Sequence, residues 1–225
     1  MSLLSLPAYE RKSLTPQRTY YVSRSHITSP RSHDIREGEQ ILYHVKADHA
    51  AFTSKPTVSI TESEGGLVVS VARLDSRKDG FEMCLGDADA TGTLTTVEED
   101  GGPLDHYYKF HVRGQLYAWQ ATCRHSIRVP ATDGGVEETC GQDWKLVMTS
   151  GTEAPKYEDH ILAVYIHHEK PSGAANMHWF EALEEDVERA SLAAMMGMLE
   201  RRRRSAKEWK SGTSLLYGAA MSGLG

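Results

Sequence analysis

Apolar and polar residues alternate with period two through most of the middle of this chain. In Leu67-Val68-Val69-Ser70-Val71-Ala72-Arg73, the residues Leu67, Val69 and Val71 share one face. In Leu116-Tyr117-Ala118-Trp119-Gln120-Ala121, one face carries Leu116, Ala118 and Gln120, and the other Tyr117, Trp119 and Ala121. Alternation of this kind predicts strands with two different sides. Eleven runs qualify: 19–24, 41–46, 57–61, 67–73, 81–85, 92–98, 107–112, 115–122, 144–149, 161–167 and 177–181. Turn residues separate them, among them Glu64-Gly65-Gly66, Lys78-Asp79-Gly80, Asp100-Gly101-Gly102-Pro103 and Thr132-Asp133-Gly134-Gly135. Glycine supplies the positive φ such turns need, and Asp or Pro favours their first positions. Val112-Arg113-Gly114-Gln115 is the tightest hairpin signal, with two residues between two aromatic-rich runs. No β–α alternation occurs, so the expected class is a large antiparallel barrel or sandwich.

The period then changes. Residues 183–204 are rich in Ala, Leu, Met, Glu and Arg, with Gly197 the only breaker, and predict a helix. Glu184, Glu185, Asp186 and Glu188 stand at its start and Arg201, Arg202, Arg203 and Arg204 at its end, both complementing the helix dipole. Between them, residues 190–199 are apolar on every side. A helix apolar all round is buried all round. Small residues and methionines suit a narrow space, so this segment is expected to thread a closed barrel with its charged ends at the two mouths.

Composition narrows the picture. The chain has 225 residues, 40% hydrophobic and 25% charged, the balance of a globular protein that needs no disulfide or metal staple. A net charge of −6 argues against general nucleic-acid binding. Cys84, Cys123 and Cys140 lack a C-x-x-C spacing, which disfavours a disulfide framework or a cysteine zinc site. No secretory signal pattern stands near Met1, and the ten apolar residues 190–199 are too few to span a bilayer. The expected location is intracellular, cytoplasm or nucleus. Three segments are expected: a flexible N-terminal arm (1–18), the barrel with its helix (19–204), and a C-terminal tail (205–225).

The order of Trp144-Lys145-Leu146, Ile161-Leu162-Ala163-Val164-Tyr165, Met177-His178-Trp179-Phe180 and then Leu183-Glu184-Glu185-Asp186-Val187 through to Leu199-Glu200-Arg201-Arg202-Arg203-Arg204 resembles the tubby C-terminal-like superfamily. That group includes tubby proteins, phospholipid scramblases, LURP-one-related proteins and fungal tubby-like proteins of unknown function. The resemblance covers about residues 19–204. It implies a mainly β fold, a closed antiparallel barrel of about 11–12 strands around a buried C-terminal helix. It further implies a non-enzymatic intracellular protein that binds anionic membrane lipids, phosphoinositides in particular, or a protein partner. The cysteine-rich and proline-rich N-terminal features of scramblases are absent, so lipid scrambling is not implied, and fold alone does not fix function.

Arg201, Arg202, Arg203, Arg204 and Lys207, with Lys210 beyond, form the one concentrated basic cluster. This cluster is the candidate contact for lipid headgroups, or a nuclear-import patch; a solvated helix end is the plainer reading. The eleven histidines invite a metal reading, but His167 and His168 point to opposite faces of a strand and no H-E-x-x-H or H-x-H occurs. Cys123-Arg124-His125 places a thiol beside a base, without an oxyanion-type glycine motif. The rings of 107–110 and 117–119 could stack on nucleic acid or fill a core. No cofactor motif is present. Two alternatives stay open: a calycin-like barrel holding a small apolar ligand, with 190–199 packed outside it, and a cysteine-dependent enzyme.

Overall fold

The computed structural model describes residues 12–26, 29–48, 57–74, 80–87, 94–101, 106–122, 126–131, 134–141, 143–149, 160–168 and 174–221, with side chains except those of 24–26, 29–31 and 206–221. Cys123, Arg124 and His125 lie outside the described residues, as does the side chain of Lys207.

The strands are β1 (Lys12–Ser13), β2 (Arg18–His26), β3 (Ser29–Glu37), β4 (Gln40–Asp48), β5 (Thr57–Glu62), β6 (Val68–Leu74), β7 (Gly80–Leu85), β8 (Thr95–Asp100), β9 (Tyr107–Val112), β10 (Gln115–Ala121), β11 (Ile127–Pro130), β12 (Val136–Glu138), β13 (Trp144–Met148), β14 (His160–His167) and β15 (Ala175–Trp179), followed by helix α1 (Glu185–Met221). Twelve of them close into an antiparallel barrel in the order β10-β13-β14-β15-β2-β3-β4-β5-β6-β7-β8-β9. The chain winds up and down from β2 to β10, leaves for the outer sheet β1-β11-β12, and returns with β13. The β15–β2 pairing, Trp179 opposite Arg18, joins the two ends of the circuit. Closure leaves the barrel no unpaired edge.

All eleven runs expected from periodicity are barrel strands. The twelfth, β3, carries Ile35 as its one core apolar residue among the described side chains; its neighbour Asp34 is buried and accepts a hydrogen bond from His44 Nδ1 at 2.8 Å. The expected hairpin at Arg113 is present, with Val112 paired to Gln115. Arg113 has φ 49° and Gly114 φ 82°, the positive pair that lets a two-residue loop follow the strand twist.

Tyr117 and Trp119 face the core as alternation requires, and Trp119 Nε1 donates to the Ser191 carbonyl of α1 at 3.0 Å. In β6 the alternation breaks. A register shift opposite Ile60/Thr61 puts Val69 and Ala72 in the central core and leaves Val71 buried outside it. The shared face expected for Leu67, Val69 and Val71 is thus split by a bulge.

Helix α1 runs up the barrel interior. Val187, Ala190, Leu192, Ala193, Ala194, Met195, Met196 and Met198 all belong to the central core, together with inward residues of the barrel strands. The interior that a small apolar ligand would occupy is therefore filled by 190–198. Gly197 shows how close the fit is: a Cβ there would lie 2.5 Å from the Phe81 ring and 3.0 Å from the Ala72 Cβ. The expected helix 183–204 begins at Glu185, and its backbone continues to Met221, through residues assigned above to a tail. No helix of the described residues is long and apolar enough to cross a membrane.

Ile161-Leu162-Ala163-Val164-Tyr165-Ile166 is apolar without interruption because β14 is covered on both faces. Leu162, Ala163 and Tyr165 meet the central core, while Val164 and Ile166 join Ile127 and Val129 of β11 in a second core under the outer sheet. Glu137 of β12 sits beside that second core, where its Oε2 lies 3.0 Å from His178 Nε2 and its Oε1 accepts from Asn176 Nδ2 at 2.7 Å. His178 Nδ1 in turn meets Thr19 Oγ1 at 3.0 Å. The outer sheet is thus fastened to β15 by a satisfied buried polar network, the form in which such groups are tolerated.

Candidate functional site

The two mouths of the barrel are built from the two charged ends of α1. At the N-terminal mouth, Glu188 is buried and takes hydrogen bonds from the Tyr20 hydroxyl at 2.5 Å and from Arg18. Burial first, and then the Glu188 carboxylate, push the Tyr20 hydroxyl well above the ordinary tyrosine range. Arg113, at the hairpin tip, binds Glu184 and, at 2.5 Å, Asp186. Arg189 lies 2.5 Å from both Glu62 and Glu185. Each acidic residue at this end that the dipole argument singled out has a basic partner. A cavity of about 350 Å³ opens here between Cys84, His111, Arg113 and Asp186, but its charged groups already face each other.

The C-terminal mouth holds the basic run. Arg201 donates through Nε to Glu99 Oε2 at 2.7 Å and through Nη1 to the Gly80 carbonyl at 3.0 Å. Gly80 has φ 120°, and a Cβ there would fall 2.1 Å from the Val97 carbonyl oxygen, so only glycine lets β7 meet β8 at this point. Arg203 grips Glu200 through Nε at 2.6 Å and Nη2 at 2.7 Å, and Arg204 Nε adds a bond to Glu200 at 2.7 Å. Burial works to raise the Glu200 carboxyl, but the hydrogen bonds of Arg203 and Arg204 prevail and hold it below the usual carboxylate range. The Glu200 spacing is the i, i+3 and i, i+4 geometry of a helix face and was available in the sequence.

Arg202 differs from its neighbours. It is exposed and has no carboxylate partner among the described residues. Its guanidinium lies over the Trp144 ring, Cζ 4.9 Å from the centroid, a cation–π contact. Beside it opens a cavity of about 420 Å³ lined by Glu99, His106, Tyr108, Trp144, Arg201 and Arg202. The rings form one cluster: His106 lies edge-on to Tyr108 at 5.1 Å and to Trp144 at 5.8 Å, and Tyr108 is 5.8 Å from Trp144. His106 Nε2 is 3.2 Å from Glu99 Oε1. Burial holds the imidazole below its ordinary value, Glu99 opposes, and Arg202 adds to the depression. The Tyr108 hydroxyl is fully buried beside the Glu99 carboxylate. Burial first and the nearby Glu99 charge second push it well above the usual tyrosine range.

The sequence-expected residues thus divide. The structure brings Arg201, Arg202, Arg203 and Arg204 to one mouth, but ties three of them to Glu99 and Glu200. Glu99, His106, Tyr108 and Trp144 were not connected with the basic run, because they come from three other strand ends, far from residues 201–204 in sequence. The rings considered for nucleic-acid stacking, Tyr107, Tyr108, Phe110, Tyr117 and Trp119, are buried in the barrel. His160 pairs with Glu181, and among the described residues no group of three or more His, Cys, Asp or Glu is placed to hold a metal ion. Cys84 and Cys140 are not joined in a disulfide, and Cys84 is buried.

A closed twelve-stranded antiparallel barrel around one C-terminal helix, with an aromatic and basic cavity where the helix leaves it, defines the class of this protein. The chain matches no protein-family model, no curated protein and no solved structure.

Proposed function

We propose that this protein is a non-enzymatic intracellular binding module of the tubby-like kind, which takes an anionic membrane lipid headgroup at the mouth where α1 leaves the barrel. The observation that carries the reading is Arg202, an exposed guanidinium over the Trp144 ring with no carboxylate partner among the described residues. A cation–π contact with a ring uses none of the N–H donors of a guanidinium. They remain free to meet phosphate oxygens, a pairing that arginine suits in geometry as well as charge. The barrel order and the threaded helix, together with the residues at 144–204 quoted above, support the tubby-like assignment. Phosphoinositides are the lipid class that this resemblance implies. Arg203 and Arg204, two cations sharing the single Glu200 carboxylate, and Lys207 would add a surrounding net positive field, of the kind worth on the order of 1 kcal/mol per uncompensated charge at an anionic surface.

Vesicle co-sedimentation tests the reading. Wild-type protein is expected to pellet with phosphatidylcholine vesicles carrying phosphatidylinositol 4,5-bisphosphate and to stay in solution with phosphatidylcholine alone. Arg202→Gln is expected to lose most of that binding with its melting temperature unchanged. Equal recovery on both vesicle types sinks the reading, and capture of a soluble protein in its place would favour the partner reading.

A further inference from the structure

We infer that a second cavity at the C-terminal mouth, on the side of α1 away from Trp144, is a binding pocket for a small aliphatic carboxylate, chain inward and carboxylate at the rim. The cavity holds about 170 Å³, and its apolar wall includes Val22, Val45, Val58, Tyr165, Met196 and Leu199. It exists because the helix packs to one side. Gly197 lets α1 close on Ala72 of β6 and Phe81 of β7. On the wall across the barrel, the inward residues of β2, β4 and β5 at this level are the short Val22, Val45 and Val58, which leave space before Met196 and Leu199. Residues 190–198 therefore fill the barrel axis but not the whole of this mouth. Protein interiors hold few voids larger than a water molecule. An apolar cavity of about 150 Å³ takes a benzene-sized guest, so this one has room for a short chain, and each methylene withdrawn from water favours its entry.

The rim decides the polar end of the ligand. Ile35 and Tyr165 face the core, so His33 and His167, two residues away on the same strands, turn inward as well. They line the cavity together with Glu200 and Arg203. Glu200 is the one acid among these lining groups, and both Arg203 and Arg204 hold it. Two guanidinium groups on one carboxylate leave one positive charge over, and the imidazoles add nothing of the opposite sign. A cationic end would meet that excess, whereas a monoanion offsets it. A carboxylate also matches arginine in geometry. The inference goes beyond the headgroup reading and does not depend on it, because neither Arg202 nor Trp144 lines this cavity.

Titration calorimetry with octanoate, 1-octanol and acetate separates the chain from the charge. Octanoate is expected to bind at one saturable site, 1-octanol about tenfold more weakly, and acetate not at all. Val45→Phe puts a ring into the cavity and is expected to weaken octanoate binding by about tenfold or more. Ala47→Leu, at a half-buried position that also lines the cavity, does the same with less strain and carries the test where Val45→Phe fails to fold. No saturable binding of octanoate overturns the inference, and so does octanoate binding that the folded filling variants leave unchanged. Acetate bound as tightly as octanoate overturns the chain pocket, and 1-octanol bound as tightly overturns the carboxylate. Octanoate binding by a protein that ignores phosphatidylinositol 4,5-bisphosphate vesicles would sink the headgroup reading alone, so the two fail separately.

Discussion

The two ends of α1 carry opposite charge, yet the larger contrast is in how that charge is used. At the N-terminal mouth the barrel answers it: Arg18 and Tyr20 hold Glu188, Arg113 holds Glu184 and Asp186, and Arg189 joins Glu62 to Glu185. At the C-terminal mouth the pairing is incomplete. Arg201, Arg203 and Arg204 are committed to Glu99 and Glu200, while Arg202 is left beside a cavity without a carboxylate among the described residues. One end closes the fold, and the other keeps one guanidinium in reserve. A run of four arginines is therefore mostly structure, with recognition concentrated in one of them.

The contrast presupposes that the helix is threaded, and the largest expected effect tests that. Ala194 is fully buried in the central core, so Ala194→Arg places an unpaired charge there at a cost of several kcal/mol (about 3 or more). The variant should fail to give a cooperative melt by circular dichroism; an unperturbed melting temperature would falsify the threaded helix. Next in size is Glu188→Ala. It strands the Tyr20 hydroxyl and frees Arg18, and should lower stability in urea by about 1.5–3 kcal/mol. Loss of a few tenths only would mean that the N-terminal mouth is not closed by that carboxylate. Gly197→Ala follows. Alanine is the better helix former by about 1 kcal/mol, but its methyl would press on Phe81 and Ala72. Overpacking of about 1–3 kcal/mol should leave a net loss, and a gain in melting temperature would show a looser interior.

A smaller effect reads the C-terminal mouth by pH. The Glu200 carboxyl lies below its ordinary value in the folded protein, so its contribution is present above the unfolded carboxyl range, near about 4.3, and is lost as pH falls through the folded value. Wild type should therefore lose melting temperature more steeply in acid than Glu200→Gln. Parallel acid curves for the two proteins would show that the Arg203–Glu200–Arg204 cluster adds nothing to the fold.

How much of this the sequence disclosed depends on where each signal resides. Strands buried on one face alternate, and a helix buried on all faces is apolar throughout, so the barrel and its axis were legible locally. Strand β3 was not, because its buried Asp34, satisfied by His44 of β4, stands where an apolar residue would have marked a strand. Strands β11 and β12, of four and three residues, are too short for a period to show. The basic run was visible as charge, and the spacing of Arg203 and Arg204 from Glu200 was visible too, but the different fates of Arg201 and Arg202 were not. Those are set by Gly80, Glu99 and Trp144, which closure of the barrel brings to the helix end.

The most direct test of the two-ended account crosses its two variants. Glu188→Gln and Arg202→Gln would each be measured for melting temperature and for binding to vesicles containing phosphatidylinositol 4,5-bisphosphate. The account predicts that Glu188→Gln melts lower and, below its melting point, binds like wild type, and that Arg202→Gln melts like wild type and does not bind. An Arg202→Gln protein that binds as wild type, or a Glu188→Gln protein that keeps its melting temperature, would contradict it.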